Sequence, residues 1–460
     1  MKNSETTRRG FISRTTAAGA GLSAAMSPFA TSVSAQPRGA NDRIRIGFIG
    51  LGYRGSQLLP LFMKNRDVQI AALCDVYKPF ITRDYSQVHQ RYIDVLGNIV
   101  PKMGERFSDK VDTYTDFRRI LDRNDIDAVV IASPDHWHAV QAIMAMESGK
   151  DVYVEKPLTL TIKEGRAMVD AARRTGRVSQ VGLNRRGSPV YRELAPLVRN
   201  GMIGKVTVAR AFRVSNMYPD GIGVERPEDP PDNLDWDLWL GPQKYRPFQW
   251  NIHPYRFRWW KSYSSQMGNW GVHFLDVIRW LIGEEAPVAV TAHGGKFVLN
   301  DDRTIPDTME TIFEFSSGAL AMFSIHEASD CRPVVNGDVE FEGTLGTLYT
   351  TDRGYKVVPA RNGQFQHREK LLEPVEERTE NRSDPTAVLV SNFLDCIKTR
   401  EKCMVDLETG HRSTSFAHLA NIALATGSRI EWDARRERIT NNRDANKLLQ
   451  YSYRKPWKLG

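Results

Sequence analysis

The chain has 460 residues, of which 41% are hydrophobic and 26% charged, and its formal net charge is +8. This length suffices for two or three domains with buried cores, and the composition is ordinary for a globular protein. The sequence has no run of about eighteen apolar residues, so we predict no membrane-spanning helix. The basic residues are scattered along the chain, so we predict no binding to nucleic acid.

Residues 1–35 have the organisation of an export signal. Arg8 and Arg9 form a twin-arginine pair, an Ala/Gly-rich apolar stretch follows, and Val33-Ser34-Ala35 is a small-residue cleavage site. We therefore predict a twin-arginine signal peptide over 1–35 and a linker over 36–42. The translocation machinery would deliver such a protein to the periplasm or otherwise export it. The alternative is a disordered tail with two chance arginines. The segment carries +3 of the net charge, which leaves +5 for the rest of the chain.

Strands and helices alternate between residues 43 and 182. Apolar runs predict strands at 44–49, 68–74, 128–132, 152–154 and 178–181. Helical patterns lie at 55–65, 116–123, 137–148 and 162–175, with a polar helical insertion at about 80–108. Pro60 should kink the first helix. This alternation predicts a doubly wound, parallel Rossmann sheet over 43–182.

The pattern changes after about residue 200, and we predict an α+β domain with a mostly antiparallel open sheet over 183–430. A Pro- and aromatic-rich loop fills 217–262, and residues 431–460 form a C-terminal tail. Strands are expected at 206–214, 287–298, 309–315, 319–325, 338–342 and 346–350, and helices at 271–282, 385–399 and 408–426.

The four cysteines, Cys74, Cys331, Cys396 and Cys403, include no CxxC pair and no Cys/His cluster. The sequence therefore predicts no metal site. An exported protein could pair these cysteines, and the sequence does not say which. Cys74 lies in a predicted buried strand, where a small apolar side chain fits.

The first strand is followed by Gly50-Leu51-Gly52-Tyr53-Arg54-Gly55, which opens a helix, and Asp75 lies twenty positions further on. This set is the dinucleotide fingerprint of a Rossmann domain. The glycines let a pyrophosphate approach the backbone amides, and the helix N-terminus favours its charge. Asp75 would accept hydrogen bonds from a ribose diol and repel a 2′-phosphate, so NAD is favoured over NADP. The alternative is a glycine-rich turn without a ligand.

Two further motifs follow predicted strands, where ligands of such sheets bind. In Ser133-Pro134-Asp135-His136-Trp137-His138, we assign Ser133, Pro134, His136 and His138 to the cofactor, although Ser133 or Asp135 could equally cap a helix. In Glu155-Lys156-Pro157, Glu155 faces the cofactor, and Lys156 beside a cationic nicotinamide could exchange a proton near neutral pH. The alternative for Lys156 is an ordinary solvated lysine.

The segment from Gly268 to Asp276 places His273 and Asp276 on one helical face. His273 could titrate near neutrality or serve as a structural histidine. Upstream, aromatic residues alternate with basic ones, an arrangement that suits a sugar ring, a subunit interface or core packing. These residues are Trp236, Trp239, Tyr245, Trp250, Tyr255, Trp259, Trp260 and Trp270, with Arg256, Arg258 and Lys261.

Together these motifs resemble the Gfo/Idh/MocA family, the glucose–fructose oxidoreductases, inositol dehydrogenases and their relatives, over about residues 43–430. The resemblance rests on the glycine motif, the Ser-Pro-x-x-x-His run that ends at His138, the Glu-Lys-Pro at 155–157 and the Gly-x-His-x-x-Asp at 271–276. It implies a Rossmann domain, a C-terminal domain whose open sheet makes contacts in a homo-oligomer (dimer or tetramer), and hydride transfer between NAD(P) and a sugar or cyclitol carbinol.

The resemblance also implies roles for single residues. Lys156 matches the family's catalytic lysine and His273 its catalytic histidine. Family members commonly have an aspartate four residues before that histidine, where this chain has Asn269, which can hydrogen-bond but cannot hold charge. On the substrate side we place Arg185, Trp260, Asn269 and Asp276.

Three functions remain open at this point. The first is an exported oxidoreductase that keeps its NAD tightly bound, because no NAD pool exists outside the cytoplasm, and recycles it with a second sugar or keto compound. The second is an NAD-dependent glycoside hydrolase or lyase that acts by transient oxidation. Because such glycosidases often lack the Glu-Lys-Pro motif, the motif favours the oxidoreductase. The third is a non-catalytic NAD-binding protein, suggested by Asn269.

Overall fold

A six-stranded parallel sheet lies in the N-terminal third of the described chain. The computed structural model describes residues 43–330, 338–365, 372–379 and 383–459, so the predicted signal peptide and Cys331 lie outside the described residues. The strand order is β3-β2-β1-β4-β5-β6, with every neighbouring pair parallel. The strands are β1 (Ile44–Ile49), β2 (Val68–Cys74), β3 (Asp112–Tyr114), β4 (Ala128–Ile131), β5 (Asp151–Val154) and β6 (Ser179–Val181).

Helices connect these strands, which confirms the predicted doubly wound fold. Helix boundaries follow local signals: the capping box of Thr161 and Glu164 begins one helix, and Gly176, with a φ of 65°, ends it. The predicted insertion at 80–108 contains two short helices. The helices are α1 (Tyr53–Met63), α2 (Lys78–Thr82), α3 (Gln90–Leu96), α4 (Arg118–Leu121), α5 (Asp135–Glu147) and α6 (Ile162–Thr175).

The second sheet has ten strands among the described residues, in the order β14-β13-β12-β11-β7-β10-β9-β8-β15-β16. Its pairs are antiparallel except β7 with β10. The predicted α+β domain with a mostly antiparallel sheet is therefore confirmed. The strands are β7 (Val206–Val214), β8 (Ala289–Gly295), β9 (Thr308–Glu314), β10 (Leu320–His326), β11 (Val339–Gly343), β12 (Gly346–Thr351), β13 (Gly354–Pro359), β14 (Val375–Arg378), β15 (Ile430–Asp433) and β16 (Arg438–Ile439).

Helices cover one face of this sheet and bury its alternate residues. Ala209 and Ala211 of β7, for example, share a core with Leu194, Leu275 and Leu419 from three helices. The remaining helices are α7 (Pro189–Arg199), α8 (Trp236–Leu240), α9 (Val272–Ile282), α10 (Pro385–Thr399), α11 (Leu407–Thr426) and α12 (Arg443–Lys447). No described helix is both long enough and apolar enough to cross a bilayer.

The chain returns to the first sheet after completing most of the second. Phe393 of α10 packs edge-on against Phe62 and Tyr153 of the Rossmann half. Just before α11, the Val405 carbonyl accepts from the amide of Val181 in β6 at 2.8 Å. The Rossmann core is thus closed by residues more than two hundred positions away in sequence.

The prediction of a C-terminal tail over 431–460 is wrong for the described residues. Most of β15, together with β16 and α12, lies in this segment, and β15 pairs with β8. Beyond α12, the Tyr453 hydroxyl donates to Glu164, and Arg454 forms an ion pair with Asp237. The sequence missed these elements because two of them are very short and apolar alternation is weak.

The described cysteines are buried and free. Cys74 lies in β2, as predicted, and its thiol donates to the carbonyl of Thr115 at 3.3 Å. The thiols of Cys396 and Cys403 are hydrogen-bonded to each other. Burial raises the pKa of all three thiols, so they stay protonated near neutral pH.

Candidate active site

A cleft opens at the carboxyl ends of β1, β2, β4 and β5. Its floor is the loop from Gly50 to Arg54, and its walls include Asp75, Ser133, Pro134 and the Glu155-Lys156 pair. The second domain closes the other side with a loop that contains Tyr255 and Arg258 and with a π-helical turn at Met267–Gly271. This is the position where ligands of open α/β sheets bind.

The three glycines of the loop serve different purposes. Gly50 has a φ of +89°, and a Cβ there would lie 2.5 Å from the amide nitrogen of Ser133. A Cβ on Gly55 would lie 2.0 Å from the Gly50 oxygen. A Cβ on Gly52 would meet only Phe80, at 3.7 Å, so no protein atom demands glycine there. Because no side chain caps α1, its N-terminal amides are available to an anionic ligand.

Asp75 braces this loop from the end of β2. Its Oδ2 accepts from the amide of Leu51 at 2.6 Å, and its Oδ1 from the amide of Tyr77 at 2.9 Å. Burial raises the pKa of Asp75 to about 6, against the lowering effect of these two amides and Arg83. Each oxygen keeps a lone pair for a further donor. The glycine loop, the uncapped helix and this carboxylate fit the phosphates and ribose of a dinucleotide.

Arg54 and Glu155 form an ion pair across the cleft floor. Arg54 Nε donates to Glu155 Oε1 at 2.8 Å, and its Nη2 lies 3.4 Å from the Thr386 hydroxyl on α10. The Glu155 carboxylate is buried against Gly182, where a Cβ would lie 2.6 Å from Oε1. Glu155 therefore fixes Arg54 in place. Tyr53 lines the cleft and meets the ring of Tyr255 edge-on at 5.7 Å.

Of the four residues assigned to the cofactor in the Ser133–His138 segment, only Ser133 and Pro134 line the cleft. His138 lies beneath, with its ring nitrogens 2.9 Å from the carbonyl oxygen of Pro157 and 2.8 Å from that of Ser133. It thereby joins the two strand-end loops. His136 is fully buried, its Nε2 bonds the carbonyl of Trp239, and burial lowers its pKa to about 3. Both histidines hold backbone in place and do not line the cleft.

Lys156 is the basic group at the centre of the cleft. Its Nζ donates to the backbone oxygen of Asn269 at 2.7 Å and to Asn269 Oδ1 at 3.1 Å. Burial lowers the pKa of Lys156 to about 8; Arg258 and Arg54 also lower it, and Glu155 and Asp135 raise it. A substantial fraction of Lys156 is therefore uncharged just above neutral pH, and the uncharged amine can accept a proton.

His273 lies in the first turn of α9, directly after the π-helical turn that holds Asn269. Burial lowers its pKa well below the usual value, and the charges of Lys156, Arg185 and Arg54 add to the effect. Its Nδ1 is buried and has no hydrogen-bond partner. Arg185 lies 4.4 Å above the ring of Phe274 and bonds the hydroxyl of Tyr191 at 3.1 Å. The neutral imidazole is thus left with an unused polar atom near Lys156, and His273 itself is not among the residues that line the cleft.

Three of the four predicted substrate residues, Arg185, Trp260 and Asp276, do not line the cleft. Asp276 is a fully buried residue of α9 and accepts from Arg186 through both oxygens, at 2.8 to 3.1 Å, and from the Ser413 hydroxyl. Trp260 is buried, donates to the carbonyl of Asn251 at 2.9 Å and lies under the guanidinium of Arg246. Their contacts are internal, so we correct all three assignments to structural roles.

Two charged residues of the cleft were not assigned from the sequence. Asp135 is buried, accepts from the Ser264 hydroxyl and has a pKa raised by burial. Arg258, which the sequence placed only within an aromatic-basic segment, reaches into the cleft from the second domain. Among the described residues, no group of three or more His, Cys, Asp or Glu side chains could hold a metal ion.

The fold and the cleft are those of an oxidoreductase with an NAD-binding Rossmann domain. Models of one family match most of the chain: "Oxidoreductase family, NAD-binding Rossmann fold" at residues 44–183, "GFO/IDH/MocA C-terminal domain" at 243–349, and "Oxidoreductase family, C-terminal alpha/beta domain" at 355–459. The chain belongs to the Gfo/Idh/MocA family.

Similar curated proteins include a glycosyl hydrolase family 109 protein of Shewanella baltica (strain OS185), 31% identical over 223 residues. A family 109 protein of Shewanella sp. (strain ANA-3) is 32% identical over 225 residues. Each alignment covers 46% of this chain and 46% of the relative, so the chain spans about half the length of the curated relatives it matches.

Solved structures share the fold over 85% of this chain and 99% of their own. A levoglucosan dehydrogenase in complex with NADH and levoglucosan has a TM-score of 0.60 at 20% identity. An aldose-aldose oxidoreductase of Caulobacter crescentus complexed with glycerol has a TM-score of 0.57 at 19% identity.

Proposed function

We propose that this protein is an exported oxidoreductase that uses tightly bound NAD to oxidise or reduce a hydroxyl-bearing carbon of a sugar, glycoside or cyclitol. The observation that carries the proposal is the Lys156 amine, held by Asn269 beside the glycine loop, with a pKa lowered to about 8. The complexes of levoglucosan dehydrogenase with NADH and levoglucosan, and with NADH and L-sorbose, support the substrate class. The uncovered face of the second sheet, where Ile312 is 37% exposed, is where we place the contacts of a dimer or tetramer.

The chain's own residues perform binding and proton transfer in this proposal. Gly52 and the N-terminus of α1 hold the diphosphate, and Asp75 holds the adenosine ribose. The bound nicotinamide supplies the hydride acceptor for oxidation of a carbinol. Lys156 takes the hydroxyl proton on Nζ while the two Asn269 oxygens orient the amine. His273 is neutral and close to Lys156, and we place it as the second polar group toward the sugar.

Mass spectrometry of the purified protein after denaturation tests the resident cofactor directly. We expect NAD to be released in about equimolar amount, because a protein that works outside the cytoplasm must carry its cofactor with it. A sugar and keto-sugar screen on the same sample, followed by nicotinamide absorbance, then identifies donor and acceptor. A sample that contains no nucleotide and binds none on addition would refute the proposal.

Asp75 should determine the choice between NAD and NADP. We expect Asp75→Ala to lower the affinity for NAD relative to NADP by about tenfold or more, since a charge-assisted hydrogen bond to the ribose and repulsion of a 2′-phosphate are both lost. Equilibrium binding of both dinucleotides to nucleotide-free protein measures the ratio. Asp75→Asn keeps the shape of the side chain and removes its charge. It therefore separates the repulsion of a 2′-phosphate from the support that Asp75 gives to the glycine loop. An unchanged ratio in both variants would contradict the NAD assignment.

Asn269 should set the pH range in which Lys156 works. Sugar oxidation by the native protein is expected to rise with pH around 8, where Lys156 loses its proton. Asn269→Asp places a carboxylate beside the ammonium and stabilises it, so the pKa of Lys156 rises and the rising limb moves to higher pH by about one unit or more. The pH dependence of kcat/KM measures this shift.

Asn269→Ala is the control for that shift, because it removes the side-chain acceptor without adding charge. It should leave the rising limb near pH 8 or below. His273 does not contribute to the limb, since its pKa lies well below its usual value. Activity that appears only in Asn269→Asp would instead favour the non-catalytic NAD-binding protein.

The family 109 relatives favour one second candidate, a glycoside hydrolase or lyase that acts through transient oxidation. In that case a glycoside is cleaved without net reduction of the cofactor. The two candidates separate in one assay, which follows nicotinamide absorbance and released aglycone from a chromogenic glycoside in the same cuvette. Cleavage with no lasting change in absorbance would establish the second candidate.

A further inference from the structure

Arg258 brings an uncompensated positive charge into the cleft. Its guanidinium stacks on the rings of Tyr255 and Phe257, at 4.1 and 4.5 Å, and makes one hydrogen bond, from Nη1 to the Tyr255 carbonyl at 3.0 Å. No carboxylate of the described chain lies within ion-pair distance of it. Burial lowers the pKa of Arg258, so the surroundings do not offset its charge fully.

The nearby carboxylates are engaged elsewhere. Glu155 holds Arg54 at 2.8 Å, and Asp135 accepts from the Ser264 hydroxyl. The remaining acidic neighbours, Tyr255 and Tyr53, carry phenol groups and no carboxylate. A buried charge without a partner is costly, so a cation held in a ligand cleft is expected to meet its partner on the ligand.

A second guanidinium stacks on an aromatic ring that lines the cleft. Arg213 of β7 is 3.9 Å above the ring of Trp270, and its Nε is buried without a partner. Trp270, Tyr255 and Arg258 all line the cleft, next to Lys156 and Asn269. The rings of Tyr255 and Trp270 therefore both line the cleft that contains Lys156, and an arginine is stacked on each ring.

We propose that Arg258 binds an anionic oxygen group of the ligand in this cleft. A planar guanidinium suits both a carboxylate and a phosphate. The group is therefore the carboxylate of an acidic sugar or the diphosphate of the dinucleotide. The identity of these ligands rests on the proposed function. The position beside Lys156 and on the Trp270 wall favours the sugar, so we expect a uronate or aldonate to bind better than its neutral counterpart.

Arg258→Met, with Arg256→Met as the matched control, tests this binding role. Arg256 lies on the same loop, but its Nη1 donates to the Ile222 carbonyl at 2.9 Å, and it does not line the cleft. Two quantities are measured in each variant. The first is the amount of nucleotide per chain that is released on denaturation. The second is the affinity of dinucleotide-loaded protein for glucuronate compared with glucose, and for galacturonate compared with galactose, from tryptophan fluorescence. Arg258→Lys keeps the positive charge and removes the planar guanidinium with its paired N–H donors.

If the sugar supplies the anion, Arg258→Met weakens uronate binding about tenfold or more and leaves glucose binding and nucleotide content as in the control. If the diphosphate supplies it, nucleotide content falls and the uronate preference does not change. Values equal to those of Arg256→Met in both measurements overturn the proposal. A native protein that retains dinucleotide but neither binds nor oxidises any sugar refutes the proposed function, and the nucleotide measurement still tests Arg258 in that case.

Discussion

Replacement of Lys156 by alanine is expected to slow sugar-dependent reduction of the bound nicotinamide by about 10²- to 10⁴-fold, the usual contribution of a positioned general base. Neither nearby carboxylate can take over the proton, because Glu155 is paired with Arg54 and Asp135 is bonded to Ser264. The rate is measured by absorbance in a single turnover of protein that carries its own cofactor.

Lys163→Ala is the control for this variant, because Lys163 is exposed on α6, away from the cleft. Both variants should retain the same amount of nucleotide, so that a lower rate in Lys156→Ala reports chemistry and not cofactor loss. Unchanged absorbance kinetics in Lys156→Ala would remove the lysine from the mechanism. Glycoside cleavage that slows in parallel with nicotinamide reduction in Lys156→Ala would favour the hydrolase or lyase.

Asp276→Ala is expected to have the largest effect on stability, about 3–5 kcal/mol of the free energy of unfolding. Asp276 is fully buried, and its carboxylate binds Arg186 bidentately and lies 3.8 Å from Arg279. Removing it leaves two largely buried guanidinium groups without this partner. Chemical denaturation followed by circular dichroism measures the loss.

Two comparisons decide what Asp276 does. Asp444→Ala removes the partner of Lys447 in an exposed pair, and it should leave the denaturation midpoint where it was. The second comparison is the KM for sugar in Asp276→Ala at a temperature where the variant is folded. A raised KM with unchanged stability would return Asp276 to the substrate site and contradict the structural role assigned here.

The elements that sequence patterns predicted well are those with local signals. Helix α6 begins and ends where its capping box and Gly176 indicate, and β2 is a run of apolar residues because both faces of a parallel sheet are covered. Strands β13 and β14 were missed because they lie at one end of the second sheet, where few side chains are buried. Helix α7 was missed because Pro189 and Pro196 obscure its periodicity.

The sequence predicted the location of those site residues that directly follow a strand, because their position in the chain determines their position in the fold. Lys156 and the glycine loop follow strands, and strand ends meet at one edge of the sheet. The direction in which a side chain points could not be predicted. His136 points into the core because its ring bonds the carbonyl of Trp239, about a hundred residues later in the chain. The same holds for Arg258, since only the folded loop brings it beside Lys156. Contacts between distant segments decide these cases, and a periodic pattern contains no information about them.

The return of the chain to the first sheet has a consequence for how the protein acquires its ligand. Because Phe393 and Val405 complete the core around Tyr153 and β6, the dinucleotide half is unfinished until the last fifth of the chain has been synthesised. Thr386, which contacts Arg54 at the cleft floor, arrives with the same segment. We therefore expect capture of the proposed cofactor to be a late event in biogenesis, and a ribosome-bound fragment that ends before α10 to carry the complete glycine motif without a finished nucleotide site.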